Sequence, residues 1–239
     1  SGFVVLDEQR KIARIVFKQG TIDFAQQEGA TLEADLRRRD FTVNAIAYNP
    51  FTEEIYDPLG GLKDLQAKNL KMISPTNLKN DPLRLLRAYR QAAQLNFTLD
   101  TITRSTIRTL APLISKIAIE RVQNELNYLF SEQKGGIWLI TAQEDGLLTP
   151  WFQEVNSDKL HKVVKVEPVI EQLAEFLDKE QFSWFMSSPN LINQVKLALL
   201  VSNDPDAAEV ELTRLKYPRQ DIRTVTTILR CLPPLEQAF

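Results

Sequence analysis

Residues 80–95, NDPLRLLRAYRQAAQL, are the stretch on which the fold turns. Asp81 stands where a helix cap would sit and Pro82 where a first helical residue would. Apolar residues then recur at three-and-four spacing, which predicts a helix with one buried stripe. Downstream the same spacing predicts further helices over 101–110, 118–129, 136–144, 161–177, 190–202 and 207–215, with Pro or Gly punctuation between most of them. Upstream the character is different. Residues 3–6, 13–17 and 21–25 read as three short strands of a meander, TLEADLRR (31–38) as a helix, and AIAYNPFTEEIYDP (45–58) as a hairpin turning at NPFT. The expected class is therefore α+β: a head with a small mixed sheet over residues 1–75, a helical neck over 76–145 and a helical body over 146–239.

Composition narrows the function classes. Of 239 residues 44% are hydrophobic and 25% charged, and no apolar run approaches the length that spans a bilayer. Lys and Arg total 29 against 31 Asp and Glu, a formal charge of −2, so a nucleic-acid partner would have to be met by local basic faces. One cysteine, Cys231, cannot form an internal disulfide. One histidine, His161, followed by Lys162, leaves no material for a zinc site, a Cys/His pair or a His-Asp phosphohydrolase centre. A reducing, cytoplasmic setting fits. The opening SGFVVLDEQRKIARIVF is unlike a signal peptide and enters a strand pattern at once, so the chain is expected to begin inside a domain.

The glycines form neither GxGxxG nor GxxxxGK[ST], so any phosphate must be held by side chains. Arg37, Arg38 and Arg39 offer forked, charge-assisted bonds to phosphate oxygens, although arginines are also at home near a helix C-terminus. Asp40, Thr42 and Asn44 alternate with Phe41, Val43 and Ala45, which on a strand would put three polar groups on one face, suited to ribose hydroxyls. Asp81 and Arg84 share a face of the first helical turn. An aspartate accepts from an exocyclic amino group while an arginine donates to the adjacent ring nitrogen, an edge offered by adenine and cytosine but not by guanine and uracil. Asp81 could equally be a helix cap with Arg84 solvated. DPLGGLKDL (57–65) reads as a turn, with its glycines at a hinge or a close backbone approach. IERVQNEL (119–126) reads as an exposed face with Arg121 and Glu125 four apart.

In order, RRDFTVNA, DPLGGLKDL, DPLRLLRAYRQAAQL and IERVQNEL resemble the bacterial tRNA nucleotidyltransferase and poly(A) polymerase family, the class II CCA-adding enzymes and their relatives. The resemblance is close over residues 3–130 and generic beyond. It implies a nucleotidyltransferase head and transfer of AMP, or of CMP and AMP, from ATP and CTP to the 3′ end of tRNA, with Mg2+. It puts Arg38, Arg39, Asp40 and Asn44 in the motif that handles triphosphate and sugar, and Asp81, Arg84 and Arg87 on the helix that reads the incoming base. Arg104, Arg108, Lys116 and Arg121 are candidates for basic faces that hold tRNA.

The sequence also departs from the family. Asn80 stands where an acidic residue is usual, and the glycine-rich opening and paired metal-binding aspartates are expected upstream of Ser1. Asp23, in TIDFA, sits where a third carboxylate, catalytic and metal-binding, would fall. Asp204 and Asp206 have Asp-x-Asp spacing but flank Pro205 and read as a turn. Two-metal transfer needs such carboxylates, so this chain by itself is not expected to catalyse. Only QQEGA separates TIDFA from the arginine helix, a short form that resembles A-adding members. A poly(A) polymerase, or an inactive module that binds RNA or nucleotides, fits the same motifs.

Overall fold

The meander forms as its alternation predicts. In the computed structural model, which describes residues 2–8, 11–178, 180, 182–183 and 190–238, β1 (Gly2–Asp7), β2 (Ile12–Phe17) and β3 (Gly20–Ala25) make an antiparallel sheet in sequence order. Helix α1 (Leu32–Arg37) follows, opened by the Thr31 hydroxyl, which accepts from the Ala34 N–H.

Residues 40–45 are not the strand that their alternation suggests. The Asp40 carboxylate accepts from the Phe41 N–H and from Asn44 Nδ2, and Thr42–Asn44 closes into a 3-10 turn. Local bonds of this kind compete with a ladder, and only Phe41 retains a β-bridge, to Met72. Thr42 is consequently buried, its hydroxyl donating to Asp64 rather than lining a face with Asp40 and Asn44.

The hairpin of β4 (Ala47–Asn49) and β5 (Glu54–Tyr56) is as expected. DPLGGLKDL, by contrast, is more than a turn: it starts helix α2 (Gly61–Gln66). The Asp57 carboxylate accepts from the N–H groups of Gly61 and Leu62, and Gly60 takes a left-handed φ of 72° just ahead. The close backbone approach is real, since a Cβ on Gly61 would stand 2.2 Å from the Thr42 carbonyl oxygen.

Ser74 caps an unanticipated short helix, α3 (Pro75–Asn80), ahead of the central α4 (Leu83–Leu95). Asp81 lies at the bend between them and is no side-chain cap; its carbonyl, not its carboxylate, accepts from the Arg84 N–H. The stripe of α4, with Leu85, Leu86, Tyr89 and Ala92 fully buried, packs against α6 (Ile119–Ser131) and α7 (Gly135–Glu144). Strands β6 (Asn69–Leu70) and β7 (Thr98–Leu99) pair in parallel beside it. Helix α5 (Thr101–Leu110) has the expected bounds, set by the Asp100 cap.

In the body, α8 (Ser157–Val164) and α9 (Val166–Phe176) replace the single helix expected over 161–177. Pro168 explains the break: it brings no N–H, and its ring would collide with the Val164 carbonyl of a continuous helix. Then come α10 (Leu191–Leu200), α11 (Pro205–Arg214) and the unanticipated α12 (Arg219–Ala238). Asp204 and Asp206 are not a loose turn, because Asp204 caps α11 by accepting from the N–H groups of Asp206 and Ala207. One hydrophobic core runs from Phe41 and Leu70 through α4 to Leu229 of α12. No helix among the described residues is long and apolar enough to cross a membrane.

Candidate functional site

Where the turn after α1 meets the start of α4, an open cleft of about 430 Å³ gathers Arg39, Asp40 and Asn44 with Asp81, Arg84 and Arg87, over Leu83. Arg121 reaches in from α6. Six of the residues expected to handle nucleotide thus come together, and Arg121, expected on an RNA face, joins them.

The backbone of the arginine triplet is gripped from the other side. Asn77 Nδ2 donates to the carbonyls of Arg37 and Arg39, both at 2.7 Å, and Arg84 donates to the carbonyl of Arg38 at 2.8 Å. Arg84 therefore is not simply solvated. Asn77 escaped the sequence reading; its only signal was the Ser74-Pro75 start of α3.

The side chains of the triplet diverge. Arg37 pairs with Glu33 and Arg38 with Glu28 and Asp35, so neither lines the cleft, whereas Arg39 does. Asp35 is the buried anchor, accepting from Arg38, from Arg39 at 3.2 Å and from the Glu28 N–H. Burial would raise its pKa, but the Glu28 N–H and the two arginines outweigh that and hold it below the usual carboxylate range.

Asp40 accepts from Arg87 Nε at 2.7 Å through one oxygen and from Asn44 through the other, and Asn44 reaches on to Gln91. Glu125 of α6 accepts from Arg90 at 2.6 Å and stands 3.8 Å from Arg87. IERVQNEL is accordingly not the exposed i,i+4 face expected: Glu125 turns to α4, Glu120 to Lys216, and Arg121 to Asp81 at 2.9 Å. The second oxygen of Asp81, Oδ1, is buried without a partner. A ligand amino group in the cleft would satisfy it.

Asp23 is elsewhere. On β3 its two oxygens accept from Arg14 at 2.6 and 2.8 Å, which lowers its pKa, and it is not among the residues lining the cleft. Among the described residues no three His, Cys, Asp or Glu side chains form a group able to hold a metal ion. Asp23 belongs to no such group among the described residues, and its carboxylate is answered by Arg14.

These elements match known ones. The family described as "Poly A polymerase head domain" matches residues 6–71, and that described as "Probable RNA and SrmB- binding site of polymerase A" matches residues 96–159. A CC-adding tRNA nucleotidyltransferase of Synechocystis sp. is 50% identical over 238 residues, 98% of this chain and 57% of the relative. This chain belongs to the tRNA nucleotidyltransferase and poly(A) polymerase family. An A-adding tRNA nucleotidyltransferase of Deinococcus radiodurans is 31% identical, over 94% of this chain and 58% of its own length. The solved structure of a tRNA-processing enzyme with CTP superposes with a TM-score of 0.79 at 25% identity, covering 96% of this chain and 64% of that one. The chain thus spans a little over half the length of the curated relatives it matches.

The head match of this nucleotidyltransferase family contributes Arg39, Asp40 and Asn44 to the cleft, and the RNA-binding match contributes Arg121. Two other arginines of that second match pair with a buried carboxylate. Arg104 Nε donates to Asp145 at 2.8 Å, and Arg108 and Tyr89 donate to the same carboxylate, which is fully buried. Both guanidinium groups offset that buried charge, while Arg108 keeps about half of its side chain exposed. Lys116 is exposed at the end of the 3-10 turn Ala111–Lys116.

Proposed function

We propose that this chain is the nucleotide-selecting and RNA-holding part of a tRNA nucleotidyltransferase, which transfers AMP, or CMP and AMP, from ATP and CTP to the 3′ end of tRNA and releases pyrophosphate. The observation that carries the reading is the cleft itself, where an unsatisfied Asp81 oxygen and the Arg84 guanidinium stand beside Arg39, Arg87 and Arg121. Asp81 accepts from the exocyclic amino group of the base while Arg84 donates to the neighbouring ring nitrogen, an edge shared by adenine and cytosine. Arg39 and Arg87 meet the triphosphate, with the Asp40–Asn44 pair on its sugar side and Arg38 acting from behind the wall, where its carbonyl holds Arg84. The division into a head over 1–75, a neck over 76–145 and a body over 146–239 follows these roles. Magnesium, if this transfer uses it, needs carboxylates besides Asp23. The lone Cys231 favours a reducing, cytoplasmic setting.

A second reading concerns the base. The short QQEGA link favours ATP, whereas the CC-adding enzyme at 50% identity favours CTP. Calorimetry of this chain with ATP, CTP, GTP and UTP tests both: binding of ATP and CTP with rejection of GTP and UTP is expected, and the tighter of the first two identifies the base added. Equal binding of all four would overturn the base-reading assignment.

A further inference from the structure

Nearly every described arginine of this chain has its guanidinium bound to a carboxylate, carbonyl or side-chain oxygen; those outside the cleft include Arg214 on the Trp151 carbonyl and Arg230 on Asp206. Among the described residues Arg219 and Arg223 are the exceptions, with no acceptor for either guanidinium. They lie one turn apart on α12, both exposed, and together with Arg230 they line a groove of about 650 Å³ between α11 and α12. Two like charges four residues apart destabilise a helix unless something answers them. Glu209 is the single acidic residue in the groove wall, so the wall carries three positive charges to one negative. Tyr217, nine-tenths buried, also lines the groove, and its hydroxyl has no partner.

We infer that this groove is a docking track for the phosphate backbone of RNA, with Arg219 and Arg223 as its primary contacts and Arg230 two turns further on. From Arg219 to Arg230 the track runs about 16 Å along the helix axis at ~1.5 Å per residue, long enough to meet more than one phosphate. The track reads no base; it contributes counterion release and orientation. It rests on the tRNA reading above and draws on Arg219 and Arg223 of α12, which, unlike Arg104 and Arg108 on Asp145, have no acidic partner among the described residues.

The test is fluorescence anisotropy of labelled tRNA lacking its 3′-terminal nucleotides, titrated at several salt concentrations with the chain and two double variants, Arg219→Gln/Arg223→Gln and Arg219→Lys/Arg223→Lys. The glutamine variant should bind roughly tenfold more weakly per arginine near 0.1 M salt, with a log–log salt slope shallower by about 2. The lysine variant should keep the slope, which a merely structural role would not require. An unchanged slope in the glutamine variant, or equal losses in both variants, overturns the track and leaves the tRNA reading standing. No binding by the parent chain overturns both, and calorimetry with nucleotides reports separately on the cleft.

Discussion

Asp81→Asn is the change that most directly probes base selection. In the free chain one Asp81 oxygen accepts from Arg121 at 2.9 Å while the other is buried and unsatisfied. Arg84 spends one nitrogen on the carbonyls of Arg38 and Asn77, leaving its other N–H groups for a ligand. An exocyclic amino group at the free oxygen would make a charge-assisted hydrogen bond of about 1.5–3 kcal/mol, the upper end applying where water is excluded. Asp81 keeps about 29% of its side chain exposed, so the lower end applies, or roughly tenfold in affinity. Asparagine can turn its NH2 toward the cleft, where it repels an amino group and welcomes a carbonyl. Calorimetry should therefore show ATP and CTP weakened about tenfold and GTP and UTP unchanged or improved. Arg121→Gln separates this from a loosened partner, since it spares the Asp81 carboxylate and should retain the preference. Nucleotide preferences of Asp81→Asn within twofold of the parent chain would refute the reasoning.

Two further outcomes concern the framework. Gly61→Ala would drive a methyl to 2.2 Å from the Thr42 carbonyl oxygen, where backbone has to move; a loss of about 1–3 kcal/mol and a melting temperature lower by several degrees are expected in thermal unfolding. Asp145→Ala leaves Arg104, Arg108 and Tyr89 around an empty position and should cost about 3–5 kcal/mol at neutral pH. Burial pushes the Asp145 pKa up, but the hydrogen bonds from Arg104, Tyr89 and Arg108 prevail and hold it below the usual carboxylate value. Its contribution is thus complete above the unfolded value of about 4 and disappears as pH falls through the lower folded one. The gap in melting temperature between parent and variant should accordingly narrow in acid, and a gap that is constant or widens below about pH 4 would contradict this account.

How far the sequence could be read depended on the range of the forces involved. Helix α5 was legible to the residue because its cap and its stripe are both local. The 3-10 turn at Thr42–Asn44 was not, because alternation of Phe41, Val43 and Ala45 satisfies burial in a strand and in this turn alike, and the choice rests on where the Asp40 carboxylate finds its donors. The cleft was legible as a set of residues, but its wiring was hidden. Nothing near Arg37 announces that Asn77, 40 residues away, will hold its carbonyl, and nothing in IERVQNEL announces that Arg121 will turn to Asp81.

That wiring also resolves how a chain of net charge −2 can concentrate cations at one place. Four arginines, Arg39, Arg84, Arg87 and Arg121, face the cleft against two aspartates. Each is held by an acceptor that belongs to the fold: Asp35 for Arg39, two carbonyls for Arg84, Asp40 for Arg87 and Asp81 for Arg121. Such anchors lower the mutual repulsion before a ligand arrives and fix the guanidinium forks, so less rotamer freedom is lost on binding. They also make each carboxylate a positioning element: neutralising Asp40 would free Arg87 without removing a positive charge, and the cleft would lose definition rather than attraction. Arg219 and Arg223 follow the opposite principle. A groove for a flexible, repeating polyanion needs charge but no fixed angle, and there the arginines are left without anchors.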